Sequence, residues 1–156
     1  MYYNKNFKCL ECNYNIPQDV YNYSTNRYGV PLCMHHQKWV EHMSYETSVW
    51  TIKLYFALKM RSIPAELEKY DGYKHVDIAI PDAKIYIEVD GSQHNLNAHQ
   101  ALTDLKRTYH SLLDGYYTIR IPNSLTYNDM MLDETADYLA DLLHQIMEYR
   151  HKNRLR

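Results

Sequence analysis

Three carboxylates, Asp77, Glu88 and Asp90, fall on what reads as one face of a single hairpin. The segments Tyr-Lys-His-Val-Asp-Ile-Ala-Ile (73 to 80) and Lys-Ile-Tyr-Ile-Glu-Val-Asp (84 to 90) alternate with a period of two, and Pro81-Asp82-Ala83 separates them. The pattern predicts adjacent antiparallel strands. In the simplest register Ile80 pairs with Ile85, which sets Asp77 opposite Glu88 with Cβ atoms about 5 Å apart. Val76, Ile78, Ile80, Ile85, Ile87 and Val89 then share a buried face, and His75, Ala79 and Tyr86 lie with the acids on the other. Like charges directly opposite destabilise a sheet, and a hard divalent cation offsets such a cluster. The same register sets Asp90 opposite His75, an Asp-His pair that reads first as structural and second as a base dyad.

A second constellation lies near the start of the chain. Cys9-Leu-Glu-Cys12 and Cys33-Met-His-His36 form two ligand pairs whose short spacings let each grip one side of a tetrahedral ion. Cys9, Cys12, Cys33 and His36 complete a zinc shell, with His35 as the alternative fourth ligand. A closed shell leaves no position for water, so this Zn²⁺ is expected to be structural. The competing reading, three buried cysteines beside incidental histidines, leaves a segment poor in aliphatic residues without a means of folding.

Around these residues the pattern divides the chain into a zinc module over 1 to 40 and a second domain over 41 to 156. Residues 7 to 37 carry turn signals at Tyr28-Gly29 and Val30-Pro31 and no sustained helical period. A helix is expected over 44 to 61 with Ser44 as its N-cap, then a strand over 65 to 70 and a turn at Asp71-Gly72. A second helix over about 97 to 113 is expected to bury Ala98, Ala101, Leu102, Leu105, Tyr109, Leu112 and Leu113. A strand over 116 to 121 and a last helix over roughly 128 to 151 follow, the latter ending in the basic tail Arg150, Lys152, Arg154 and Arg156. The resulting order, αβββαβ, belongs to an α/β or α+β domain.

With 156 residues and a net charge of −2, the chain has room for a real core and no global positive field to draw it to nucleic acid. Such binding must come from local patches. The three cysteines are an odd number ill suited to a disulfide framework. Neither a transmembrane run nor a secretory signal is expected, so the reading is intracellular, cytoplasmic and without a membrane partner. Oligomeric state is not legible.

The string Val76-Asp-Ile-Ala-Ile-Pro followed by Lys84-Ile-Tyr-Ile-Glu-Val-Asp-Gly-Ser-Gln-His94 resembles the active-site hairpin of PD-(D/E)XK nucleases, in particular the branch related to very-short-patch-repair endonucleases. The likeness spans about residues 44 to 122, with Glu46-Thr-Ser-Val-Trp50 matching an early helix and Asp104-Leu-Lys-Arg107, Gly115-Tyr and Ile119-Arg-Ile121 matching a later helix and strand. It implies a restriction-endonuclease-like αβββαβ core and Mg²⁺- or Mn²⁺-dependent hydrolysis of DNA, with RNA not excluded. Asp77 and Glu88 would be metal ligands and the Val89 carbonyl a third. The chain departs from the wider family in carrying Asp90 where a lysine usually follows the second acid. Gln93, His94 and Lys106 are the nearest candidates in sequence to take over that lysine's task. His94 reads equally as a general acid or base and as a helix cap. Glu46 reads either as a contact to the metal through water or as a carboxylate favoured by the start of its helix. Lys106, Arg107 and Arg120 read as phosphate contacts or as solvated charge, and Trp39 and Trp50 as core. From a different class, the chain also reads as an inert zinc-containing nucleic-acid-binding module, and from the same class as a ribonuclease or junction resolvase.

Overall fold

The computed structural model describes residues 7 to 90 and 98 to 154, and the chain divides into two compact units, Met1–Glu46 and Thr47–Arg156. The division follows the end of a helix that continues through residue 40. In the first unit two short strands, β1 (Phe7–Lys8) and β2 (Asn15–Ile16), form a hairpin, followed by α1 (Gln18–Tyr28) and α2 (Met34–Glu46). These two helices were not legible in the pattern. Their buried residues are Ser24 in α1 and Gln37 and Val40 in α2, so no apolar stripe marks either one.

The second unit begins with α3 (Val49–Met60), whose N-cap is Ser48, its side chain accepting from Thr51 N at 3.1 Å. Ser44, the expected cap, instead lies inside α2 and donates to the Glu41 carbonyl. Thr51, Ile52, Leu54, Tyr55, Phe56, Ala57 and Leu58 are all buried. A helix buried almost all round shows little amphipathic pattern. One side of α3 meets β3, β4 and β5 and another meets the last helix, α5 (Asp129–Arg154). Leu132, Ala136, Leu139, Ala140 and Leu143 are the buried apolar residues of α5. Arg61, at the end of α3, fastens the two helices through Asp137 at 2.6 Å and Asp133 at 3.3 Å.

The sheet runs in the order β3 (Glu66–Tyr70), β4 (His75–Ile80), β5 (Ile85–Asp90), β6 (Tyr117–Pro122). The first three strands are antiparallel neighbours, and β6 lies parallel to β5. A parallel neighbour cannot be reached by a tight turn, and α4 (Ala98–Leu113) makes the crossover. The fold is thus mixed α/β, with a four-stranded mixed sheet and a small second sheet. Ile80 does pair with Ile85. The turn that fixes this register has Ala83 N donating to Ile80 O and Lys84 N to Pro81 O, with Lys84 in the left-handed region at φ 57°. Ile78, Ile80, Ile85 and Ile87 are buried, as expected, but Val89 is only half-buried and Val76 packs with Ala79 and Tyr86, both buried as well, against Tyr116. The expected burial of the α4 stripe fails. Leu102, Leu105, Tyr109, Leu112 and Leu113 of α4 are exposed, because periodicity defines a helix face and not what covers it. Leu142 of α5 is exposed as well. Among the described residues no helix is long and apolar enough to cross a membrane.

Candidate functional site

In the first unit, the hairpin between β1 and β2 is tight enough to deliver two thiols to one point. Cys9 N donates to Tyr14 O at 2.8 Å and Asn13 N to Cys9 O at 2.9 Å, with Asn13 at φ 60°, a conformation that asparagine tolerates better than most residues. Cys33 arrives from the other side, immediately before α2. The loop that carries it is held by Ser24, whose buried hydroxyl donates to Val30 O at 2.7 Å and accepts from Leu32 N at 2.8 Å. Gln37 donates to Leu32 O at 3.0 Å. Neither Ser24 nor Gln37 was legible as part of this site, because side-chain bonds to a loop leave no periodic signal.

Cys9, Cys12, Cys33 and His36 come together with their ligand atoms within 4.8 Å of one another. Cys9 Sγ and Cys33 Sγ lie 3.5 and 3.2 Å from His36 Nδ1, and Cys12 Sγ lies 4.0 Å from Cys33 Sγ. A tetrahedral zinc ion with ordinary bond lengths would set sulfur–sulfur edges of about 3.8 Å and sulfur–nitrogen edges of about 3.5 Å. The donor set therefore fits zinc in type, number and size. His36, and not His35, supplies the nitrogen; the His35 ring stands edge-on to it with centroids 5.1 Å apart. Burial would raise the Cys9 thiol, but backbone N–H groups of Cys33, Cys12 and Glu11 outweigh it and hold the thiol below its usual range. These donors stabilise a thiolate, the form a metal binds.

In the second unit, the ladder between β4 and β5 covers Ile78–Ile87, Ala79–Tyr86 and Ile80–Ile85 and then stops. Beyond it β4 stays paired to β3 as far as His75, and β5 to β6 as far as Asp90. Asp77 belongs to neither of the β4 ladders. Its Oδ2 instead accepts from Val89 N at 2.7 Å, so the side chain replaces a ladder bond at the point where the strands part. Glu68, the β3 residue facing Asp77, is at φ 49°. Such a backbone is uncommon outside glycine and costs energy. It leaves the Glu68 carbonyl within 3.1 Å of His75 Nδ1. Asp90 consequently does not pair with His75; its partner is Arg120 of β6, at 2.6 Å.

Glu88 sits beside Asp77 with its side chain 14% exposed, in direct contact with the ammonium of Lys74, 12% exposed. The turn before β4 aims that lysine. Asp71 Oδ1 accepts from both Tyr73 N and Lys74 N at 2.7 Å, and Asp71 N donates to Lys74 O at 2.9 Å. Lys74 and Glu68 are the residues sequence reasoning passed over. A long side chain reaching from a turn to the next strand, and a carboxylate on an ordinary alternating strand, leave no signature.

Burial raises the Asp77 carboxyl above its usual value, the Val89 N–H opposing and the Glu68 and Asp90 charges adding. Burial also raises Glu88, opposed by the Lys74 hydrogen bond and charge. Four carboxylates, Glu68, Asp77, Glu88 and Asp90, thus face two cations, Lys74 and Arg120. Because the folded chain favours protonated Asp77 and Glu88, the contribution of these two acids to stability is greatest below about pH 4 and is lost as pH rises through their raised folded values. Without divalent cation, the melting temperature of the native chain relative to Asp77→Asn should accordingly fall as pH rises above about 4. Thermal melts across that range check this, and a pH-independent difference rejects it.

Other expected site residues are dispersed. Gln93, His94 and Arg156 lie outside the described residues, as does the side chain of Arg154. Glu46 ends α2 in the first unit, so the favourable start of a helix does not explain it. Lys106 and Arg107 lie on α4, Arg107 within 3.6 Å of Asp104. Trp39 and Trp50 are half-buried, the latter tilted against Tyr127 with ring centroids 4.7 Å apart. Arg150 and His151 line a cavity of about 270 Å³ with Met147 and Asp82, in the turn at the far end of the hairpin from the acids. Lys152 pairs with Glu148 at 2.6 Å. The cysteine cluster is the one group of three or more metal-ligand side chains that the described residues assemble; Glu88 and Asp90 are turned to Lys74 and Arg120.

Comparisons of the chain with protein-family models, with curated proteins and with solved structures gave no match in any of the three.

Proposed function

We propose that the second unit is a Mg²⁺- or Mn²⁺-dependent endonuclease of restriction-endonuclease-like αβββαβ type that hydrolyses phosphodiester bonds of DNA, with the first unit a structural zinc module. The observation that carries this reading is the parting of β4 and β5 at Asp77 and Glu88, two half-buried carboxylates whose surroundings hold a surplus of negative charge. Sheet chemistry alone gives no reason to maintain that arrangement, and a hard cation does. The resemblance of Asp77 and Glu88-Val-Asp-Gly-x-x-His94 to the PD-(D/E)XK hairpin supplies the reaction class.

When bound, the divalent ion polarises a phosphoryl oxygen and makes water a stronger nucleophile at neutral pH. The chain's own residues set the stage for it. Val89 N–H fixes the Asp77 carboxylate, so one of its oxygens is oriented and the other is left for a ligand. Glu88 offers the facing carboxylate, and the Arg120–Asp90 pair keeps Asp90 turned aside. The same side chains also allow an inert nucleic-acid-binding module, favoured by Lys74 and Arg120 already serving as counter-ions.

Incubation with plasmid, single-stranded DNA, branched DNA and RNA, with Mg²⁺ or Mn²⁺ and with EDTA, tests the reading. Metal-dependent cutting that is lost in Asp77→Asn is expected. Metal-independent cutting, or cutting untouched by Asp77→Asn, rejects it. Cleavage of RNA or of branched DNA alone would identify a ribonuclease or a resolvase with the same metal chemistry.

Backbone affinity in a net-acidic chain needs a local source, and the basic end of α5 provides one. Arg150 lines the cavity beside Asp82 with its Nε buried, so truncation after His151, which leaves it in place, is the cleaner test. Losing Lys152, Arg154 and Arg156 should lower the slope of log K against log salt by about 0.9 for each phosphate contact removed, without changing the cleavage positions. An unchanged slope would make the tail a plain helix end.

A further inference from the structure

We propose that Lys74 is the site's own cation: its ammonium holds Glu88 in the metal-free protein, a divalent ion displaces it, and the released ammonium then lies against the phosphate being cleaved. The inference rests on the nuclease reading and assigns the task left open by Asp90 standing where a lysine is usual.

Three observations support it. A lysine on a hairpin turn can extend into water at no cost, yet Lys74 is buried to 12% exposure against Glu88. Burying a flexible ammonium sacrifices both hydration and rotamer freedom, so the carboxylate cluster must reward it. Second, its backbone is fixed. Asp71 Oδ1 clamps the N–H groups of Tyr73 and Lys74, so the base of the side chain stays put while its four-carbon stem can swing the charge by a few ångströms. Third, the other cation is committed. Arg120 is held by Asp90 at 2.6 Å and has a rigid planar head, whereas a compact ammonium on a flexible stem can change partners. A divalent ion and an ammonium repel each other, so both cannot keep the same Glu88 oxygen. No bond is made or broken in the exchange; one cation replaces another.

The consequence is a pair of effects with opposite signs. In zinc-loaded, full-length protein, Lys74→Met should bind Mn²⁺ roughly tenfold more tightly, because a competing cation has been removed. It should nevertheless cleave about a hundredfold more slowly at saturating metal, as loss of one transition-state charge contact predicts. Lys74→Arg, which keeps the charge, should recover part of the rate. A structural lysine would give weaker metal binding and slower cleavage together. In the native chain the Lys74 ammonium resonance, sheltered while paired to Glu88, should shift or broaden on addition of Mg²⁺. This measurement needs no variant and reads the displacement directly. Mn²⁺ affinity that is unchanged or reduced in Lys74→Met, cleavage at the native rate, or an ammonium signal indifferent to saturating Mg²⁺ would overturn the assignment. If the native chain cleaves and Asp77→Asn does not, any of those results overturns Lys74 alone. If the native chain neither binds Mn²⁺ nor cleaves, the nuclease reading falls first and takes Lys74 with it.

Discussion

Asp77→Asn and Glu88→Gln are each expected to lower metal-dependent cleavage by roughly a thousandfold, the equivalent of removing several kcal/mol of metal-borne transition-state stabilisation. Their effects on folding should differ, and that difference makes the test informative. Asparagine at 77 retains an oxygen to accept from Val89 N–H and removes a buried like charge, so the metal-free fold should be unchanged or more stable. Alanine at 77 would orphan that N–H at a cost of about 1–3 kcal/mol, which makes it the poorer variant. Glutamine at 88 removes the charge that faces the half-buried Lys74. Breaking one side of such a pair costs up to about 3–5 kcal/mol, less whatever the remaining amide oxygen recovers, so this variant should melt lower. One substitution that leaves the fold intact or more stable and another that destabilises it, both lowering cleavage to the same degree, cannot be explained by loss of fold. Mg²⁺ or Mn²⁺ should also raise the melting temperature of the native chain, and that increment should shrink in both variants. Cleavage and calorimetry on the same preparations make the comparison. Undiminished activity in highly purified Glu88→Gln would sink the assignment.

The turn end of the hairpin could be read directly, because alternation and a four-residue turn determine which side chains share a face there; Val76, which packs with Ala79 and Tyr86, escaped that reading. The register of Ile80 with Ile85 followed from that pattern. The parting of the strands beyond Ile78–Ile87 did not, since it depends on Asp77 replacing a backbone acceptor and on the left-handed Glu68, neither of which has a sequence signature. Arg120 displacing His75 as the partner of Asp90 likewise required knowing that β6 lies parallel to β5 with Arg120 beside Glu88. Helices posed the opposite difficulty. On α4 the apolar stripe is plain in the sequence, yet Leu105 and Leu113 are exposed. For α1 and α2 the helices exist with hardly any stripe, because short helices around a ligand cluster do not need one.

That last point bears on what holds the first unit together. Among its described residues the buried apolar ones are Cys9, Ile16, Val30, Leu32 and Val40, a small core for a unit this short, which ordinarily needs a metal or a disulfide. None of the three cysteines is in a disulfide, and with His36 they form a group that could hold a metal ion. Structural zinc contributes an apparent 10–16 kcal/mol or so in small modules at neutral pH. Protein purified without added metal should therefore contain about one zinc per chain. Cys12→Ser and His36→Ala should lose it, with loss of the helical signal of α1 and α2, while His35→Ala should retain it because His36 Nδ1 is the nitrogen aimed at the sulfurs. Limited proteolysis would then cut throughout the first unit of the zinc-free variants and spare the second, whose core between α3, α5 and the sheet is its own. The order of the two histidines is the sharpest element. Zinc retained in His36→Ala and lost in His35→Ala would overturn the ligand set, and zinc-free native protein with a protease-resistant first unit would overturn the module itself. Since the carboxylates of the second unit contain no thiol, chelation that strips zinc and unfolds residues before Thr47 should leave Mn²⁺ binding at Asp77 and Glu88 recoverable by adding Mn²⁺ alone.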